Sequence, residues 1–154
     1  HETVEDGSTF MENAVKKARE LAELSGCCAI ADDSGICVDA LGGAPGIFSA
    51  RFCGHHGDDA ANNLLLLEKL SGEENRKAHY TCAVALAYPD GRLVTSEEYF
   101  FGEIALEPQG EGGFGYDPLF YLPESGCTAA QISPEDKNRI GHRGKALRAL
   151  VAKL

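Results

Sequence analysis

The chain has no tryptophan, one methionine and no apolar run of the roughly 18 residues that a bilayer-spanning helix needs. No segment of it therefore reads as a membrane-spanning helix. Basic residues are scarce: 14 Lys and Arg stand against 24 Asp and Glu, a formal net charge of −10. That balance argues against a general nucleic-acid or membrane-surface binder, because both partners are polyanions. The first residues lack the charged-then-apolar organisation of a signal peptide, and they lack an initiator methionine. Cysteine occurs six times (Cys27, Cys28, Cys37, Cys53, Cys82, Cys127), but with no C-x-x-C pair and no zinc-ligand spacing. Most of these thiols lie among apolar neighbours, where free Cys behaves as a small hydrophobe. The expectation is a reducing, cytoplasmic compartment and no disulfide framework. Neither G-x-x-x-x-G-K-S/T nor G-x-G-x-x-G after a strand occurs, which excludes the two commonest phosphate-binding scaffolds.

What is present fits one soluble globular domain over residues 1–154, since 154 residues can bury a sizeable core and 44% of them are hydrophobic. Thr9-Phe10-Met11-Glu12 has the form of a capping box. A helix is expected from there to about Ser25, with Phe10, Ala14, Ala18, Leu21 and Ala22 on one face and Gly26 stopping it. Asp58 or Asp59 caps a second helix to Leu70. Ala78–Tyr88 and Leu93–Ile104 read as the two strands of a hairpin about Pro89-Asp90-Gly91, and Pro118–Leu122 as a short strand. Ser133-Pro134-Glu135-Asp136 opens a short helix with cap, proline and acids in the expected order, and a last helix runs from about His142 to the end.

The pivotal stretch is Cys27-Cys28-Ala29-Ile30-Ala31-Asp32-Asp33-Ser34-Gly35. Small apolar residues suited to a buried strand run into two adjacent carboxylates, whose mutual repulsion and desolvation are costly. A divalent cation would offset that cost, and Mg²⁺ prefers carboxylate oxygens. A surface turn is the alternative, since Asp, Ser and Gly all form turns. From Lys137 to Leu154 stand six basic residues and no acid. Within that island, His142 and Arg143 fall where the last helix starts, a position that attracts phosphate. The alternative, a solvated face complementing the helix dipole, accounts for Arg148 and Lys153 but not for cations at an amino terminus. Gly112-Gly113-Phe114-Gly115-Tyr116-Asp117-Pro118 offers close backbone approach, an aromatic stacking face and a carboxylate able to accept from a base edge. It reads equally as a tight turn anchored by aromatics. Together these features sketch a metal-assisted phosphoester site for a nucleotide, with an Asp orienting or deprotonating water.

The chain resembles the inosine triphosphate pyrophosphatase family, the non-canonical purine nucleoside triphosphate pyrophosphatases. The matching stretches are Glu5–Ala14, Ala31–Gly35, Leu41–Arg51, Gly112–Pro118 and His142–Leu147, in family order. The resemblance implies an α/β fold in which a long mixed β-sheet floors a cleft between two lobes with flanking helices, and a cytoplasmic homodimer. It implies Mg²⁺-dependent hydrolysis of ITP, dITP and XTP to the monophosphate and pyrophosphate. By resemblance Asp33 and Asp32 are the catalytic acid pair, Asp33 also a metal ligand with Asp32 beside it, and Ser34 contacts substrate. Phe114 stacks on the base, while Gly115, Tyr116, Asp117, Lys137, His142 and Arg143 line the base and phosphate pocket. Glu5 is the candidate second metal carboxylate; Glu12, its rival, has a sufficient role in the capping box. The family's first strand and its S/T-x-N-x-x-K phosphate loop have no counterpart here, which makes a non-catalytic nucleotide-binding or dimerising fragment the rival expectation. Gly141 stands where relatives often carry Ser.

Overall fold

The computed structural model describes residues 3–154; the opening seven residues, which read as the end of a strand or a loop, fall partly outside them, on His1 and Glu2, and residues 3–7 form no strand. Helix α1 (Phe10–Ser25) starts where Thr9 Oγ1 accepts the Glu12 N–H at 3.1 Å and stops at Gly26, whose φ of 69° suits glycine. The box is displaced by one residue from the expected form. Glu12 reaches back to the backbone N–H and hydroxyl of Ser8, at 2.6 and 2.8 Å. Strands β1 (Ala29–Val38), β2 (Lys77–Ala87) and β3 (Leu93–Ile104) are long; β4 (Phe120–Leu122) and β5 (Cys127–Thr128) are short. Helices α2 (Asp59–Lys69), α3 (Pro134–Ile140) and α4 (His142–Val151) complete the α/β arrangement. The stretch Asp117–Leu119 is a 3-10 turn, so the short strand begins three residues later than expected, at Phe120.

The strands lie in sequence order β1-β2-β3-β4-β5, and each neighbouring pair is antiparallel. The sheet of the described residues is thus antiparallel where a mixed one was expected, because each strand returns beside its predecessor and no crossover separates two paired neighbours. β2 is central and buried on both faces. Its Ala83, Ala85 and Ala87 meet Phe10, Ala14, Ala18 and Ala22 of α1; small residues on both sides let helix and sheet approach closely. Leu21, assigned to that apolar face by its spacing, is 38% exposed. On the other face, Cys82 and Val84 pack on Ala146 and Leu150 of α4. The largest cluster, around Ile36, Leu66, Leu70, Phe100, Leu119 and Phe120, fills the end of the sheet under the loops. Each such side chain contributes about 1.5–3 kcal/mol on burial.

β1 corrects the expectation of a buried strand ending in acids. Asp32 and Asp33 sit mid-strand, opposite Val84 and Ala83, and the buried residues Gly35, Ile36 and Val38 come after them. Among the described residues β2 is the only strand paired with β1, and the carboxylates are tolerated because both are partly exposed and have side-chain partners, Arg143 for Asp32 and Asn13 for Asp33. Adjacent residues of a strand point to opposite faces. Asp32 and Ser34 therefore face α4, and Asp33 faces α1.

Candidate active site

The glycine-aromatic loop is built around Asp117, which is 1% exposed. Its carboxylate accepts from the Tyr80 hydroxyl at 3.1 Å, from the Phe114 N–H at 2.9 Å and from the Lys137 ammonium. A buried charge needs this many partners to be tolerated. Gly113, at φ 68°, is required: a Cβ there would lie 2.2 Å from the Asp117 Oδ2. The loop therefore presents Phe114 outward, 58% exposed. Lys137 lies 4.1 Å and Arg143 5.4 Å from its ring centre, within cation–π range. Buried Tyr116 anchors the far side, its hydroxyl donating to the Ser49 carbonyl at 2.6 Å.

The start of α4 resolves the puzzle of cations at a helix amino terminus. His142 is 6% exposed and stacks parallel to Tyr80, with ring centres 4.7 Å apart. Burial, helped by the neighbouring Arg143, Lys137 and Lys145, holds its pKa down at about 3. It is neutral at physiological pH and opposes no dipole. Its Nδ1 is buried without a hydrogen-bond partner, leaving one polar atom free for a ligand. Arg143 reaches across to β1, its Nε 3.2 Å from the Asp32 carboxylate and its Nη2 donating to the Ser34 hydroxyl at 3.2 Å. Both partners are half exposed, so the pair contributes little stability and serves to aim the guanidinium. Gly141 admits no larger residue in this arrangement, since a Cβ would lie 2.4 Å from the Lys137 carbonyl oxygen. Arg148 meets the last carbonyls of α3, at Asn138 and Arg139, so it complements the end of the preceding helix and not, as expected, that of its own.

Asp33 stands on the other face of β1. The Asn13 amide donates to its Oδ2 at 3.1 Å, while Asn13 Oδ1 accepts from the Gly7 N–H at 2.8 Å, which fixes the amide's orientation. Burial, above all, raises the Asp33 carboxyl to about 6; Glu5 and Asp32 push the same way, against Asn13 and Lys17. Glu5 itself is paired with Lys17 at 2.6 Å. Glu12 is occupied at Ser8, as the helix cap required. Among the described residues no three His, Cys, Asp or Glu side chains converge on one point. The Asp33–Glu5 pair nevertheless suits Mg²⁺, which binds through one or two carboxylates and takes its remaining ligands from water and phosphate. Their repulsion is the kind of cost that a dication relieves.

The candidate residues thus fall into two groups. Ser34, Phe114, Gly115, Tyr116, His142 and Arg143 line one cavity of about 210 Å³. Phe114, His142 and Arg143 also line a second, of about 430 Å³, together with Lys137. Asp33 and Glu5 lie on the α1 side, where a groove of about 770 Å³ includes Glu5, Lys17, Arg51 and His56. The expectation that both acids face the basic helix start is corrected: Asp32 does, and Asp33 does not, because neighbours on a strand alternate. A groove of about 780 Å³ beside Phe101 and Leu122 shares none of the candidate residues. Sequence reasoning missed Asn13, Lys17, Ser49, Tyr80, Asp59 and Asn63. Asn13 carried a signal, a polar residue beside the apolar stripe of α1; the last two carried none, since their partner lies more than 50 residues away.

Comparison with known proteins adds an independent line. The model of the Ham1 family matches residues 1–153. The dITP/XTP pyrophosphatase of Chromobacterium violaceum is 53% identical over 155 residues, covering 99% of this chain and 79% of that protein. That of Desulforamulus reducens is 54% identical over 149 residues, covering 96% and 74%. The structure of the Staphylococcus aureus Ham1 protein superposes with a TM-score of 0.94 at 43% identity, covering 99% of this chain and 79% of that one. The nucleoside-triphosphatase, or dITP/XTP pyrophosphatase, of Mycobacterium abscessus gives 0.84 at 48% identity, covering 98% and 80%.

Proposed function

The chain belongs to the Ham1 family, and from that premise we infer that it hydrolyses non-canonical purine nucleoside triphosphates (ITP, dITP, XTP) to the monophosphate and pyrophosphate. The observation that carries the reading is identity above one half, over nearly the whole chain, to proteins named dITP/XTP pyrophosphatase. The site gives it a mechanism. The exposed face of Phe114 receives the planar base. Lys137 and Arg143 are donors only, and suit the oxygen at position 6 of a deaminated purine where an adenine amino group would find no acceptor. Unpaired buried donors can discriminate by about 10⁴.

The triphosphate then crosses the edge of β1 from the Arg143 side to the Asp33 side. Asp33, with its carboxyl near 6, is suited to take a proton from water near neutral pH as the water attacks phosphorus and pyrophosphate leaves. Asp33 and Glu5 would hold Mg²⁺, which when bound supplies charge neutralisation at the phosphate oxygens. Lys17 keeps Glu5 in place. A cytoplasmic homodimer belongs to the same reading; the free cysteines suit a reducing compartment.

Incubation with Mg²⁺ and ITP, XTP, dITP, ATP or GTP tests it. The expected result is pyrophosphate from the first three and little from ATP. Equal rates on all five remove the selectivity, orthophosphate as first product indicates a general phosphatase, and ITP binding without turnover identifies a non-catalytic nucleotide binder. Asp33→Asn is expected to lower kcat by about 10²–10⁴; an unaffected variant removes the mechanism.

A further inference from the structure

The backbone on both sides of one residue of the aromatic loop, Gly115, is held by a helix to which the catalytic reading gives no part. The Gly115 N–H donates to the Asp59 carboxylate at 3.1 Å, and the Gly115 carbonyl accepts from the Asn63 amide at 3.0 Å. Asp59 and Asn63 are four residues apart, so they project from one face of α2 a turn apart. Gly115 has φ 61° and open space around its α-carbon; nothing steric in the loop itself holds that residue in place. It is the residue directly after Phe114, the ring meant for the base. The loop's other tethers act on its neighbours: Asp117 accepts from the Phe114 N–H at 2.9 Å and its own N–H donates to the Phe114 carbonyl at 3.2 Å, while the Tyr116 hydroxyl donates to Ser49. Asp59 and Asn63 thus supply the only side-chain bonds to Gly115 itself among the described residues.

The Asn63 amide has a further property. Its Oδ1 is buried without a partner, and the other amide orientation would point that oxygen at the Gly115 carbonyl. Its donor role is therefore fixed, and it is held at the expense of an unpaired acceptor.

We propose that Asn63, with Asp59, is a positioning residue for the purine: the pair locks the Gly115 backbone so that the Phe114 ring is already oriented when the base arrives. The inference rests on the functional reading above for what Phe114 receives. Preorganisation of this kind lowers the ordering cost of binding, so its loss appears in affinity and KM before it appears in kcat.

Asn63→Asp tests it most directly, since it keeps the shape and replaces the donor by an oxygen facing the Gly115 carbonyl. Asp59→Ala is the companion variant, because it removes the acceptor of the Gly115 N–H. Amide hydrogen exchange at Gly115–Asp117 in the nucleotide-free protein reads the lock without reference to any ligand. ITP affinity and the split between KM and kcat read its use. Asn63→Asp and Asn63→Ala are expected to speed exchange in the loop and raise KM for ITP about ten-fold with kcat within about two-fold, with Tm unchanged or raised; Asp59→Ala is expected to act in the same direction. Unchanged exchange overturns the lock whatever the protein hydrolyses. Faster exchange with an unchanged KM overturns the positioning role, as does a lowered Tm that accounts for the whole effect. Failure of the unaltered protein to release pyrophosphate would instead count against the functional reading.

Discussion

The ionisation of His142 can be tested quantitatively without knowing the substrate. The ring is 6% exposed, lies 4.7 Å from that of Tyr80 and has three cations near it. Burial first, and Arg143, Lys137 and Lys145 second, hold its pKa at about 3 against an ordinary 6.5. As pH falls through 6.5 the unfolded chain binds a proton at this residue that the folded chain refuses. The stability owed to neutral His142 is thus complete above 6.5 and is lost progressively toward pH 3. Each pH unit inside that window removes about 1.4 kcal/mol, so at about pH 5 the loss is about 2 kcal/mol. Replacement by Gln or Phe abolishes the titration, Phe keeping the stacking on Tyr80. Urea unfolding of the natural protein and both variants, at about pH 7.5 and about pH 5, gives the comparison. The natural protein is expected to lose about 2 kcal/mol more between the two than either variant, while groups such as Asp33 cancel in the difference. Parallel pH dependences, within the usual additivity error of about 0.5 kcal/mol, would refute the argument that this ring is folded neutral.

Other perturbations read other parts of the site. Lys137→Met leaves the Asp117 carboxylate buried without its cation; a loss of about 3 kcal/mol is expected, at the low end for a broken buried pair because Tyr80 and the Phe114 N–H still donate. An unchanged urea midpoint would contradict it. Gly35→Ala puts a Cβ 2.6 Å from both the Gly46 carbonyl and the Ser49 hydroxyl. The turn must then part from β1, lowering stability by about 1–3 kcal/mol, with a Tm equal to the natural protein's as the contrary result. Carboxyl NMR of the metal-free protein is expected to show a titration near pH 6, raised above the ordinary carboxylate range by burial, that Asp33→Asn removes and Mg²⁺ shifts downward. A titration that persists in that variant assigns it elsewhere.

Local signals in the chain carried much of the fold. The caps at Thr9, Asp58 and Ser133 each accept the backbone N–H three residues on, and the hairpin strands fall within one residue of where their β-branched and aromatic content put them. These features depend on neighbours in the chain, so the chain displays them. What it concealed depends on partners far away. That β1 is partly exposed at its acids, and not a buried strand, follows from its having β2 alone as a paired strand among the described residues. The burial of Asp117 depends on Tyr80, 37 positions earlier, and on Lys137, 20 later. The grip on Gly115 joins residues 52 and 56 positions apart. Leu21 misled for a related reason: the helical repeat places it beside the apolar stripe, but the alanine-lined contact between α1 and the sheet runs on through Ala22 and leaves Leu21 at its flank.

The alternation of β1 decides how its two acids divide their work. Asp32 shares its face with Ser34, and both are engaged by Arg143. A carboxylate committed to a guanidinium has its lone pairs directed at a cation and is a poor acceptor for a proton from water. Asp33, one residue on, faces the Asn13 amide and the Glu5 carboxylate, and burial holds it near 6. The register Asp33↔Ala83 and Asp32↔Val84 fixes this assignment. A slip of one residue would exchange the acids, pairing the intended base with Arg143 and turning its partner toward Glu5. On the functional reading above the pair divides: Asp32 would aim Arg143 toward Phe114, and Asp33, kept apart from that arginine, would be left to the Asn13 amide, Glu5 and the metal.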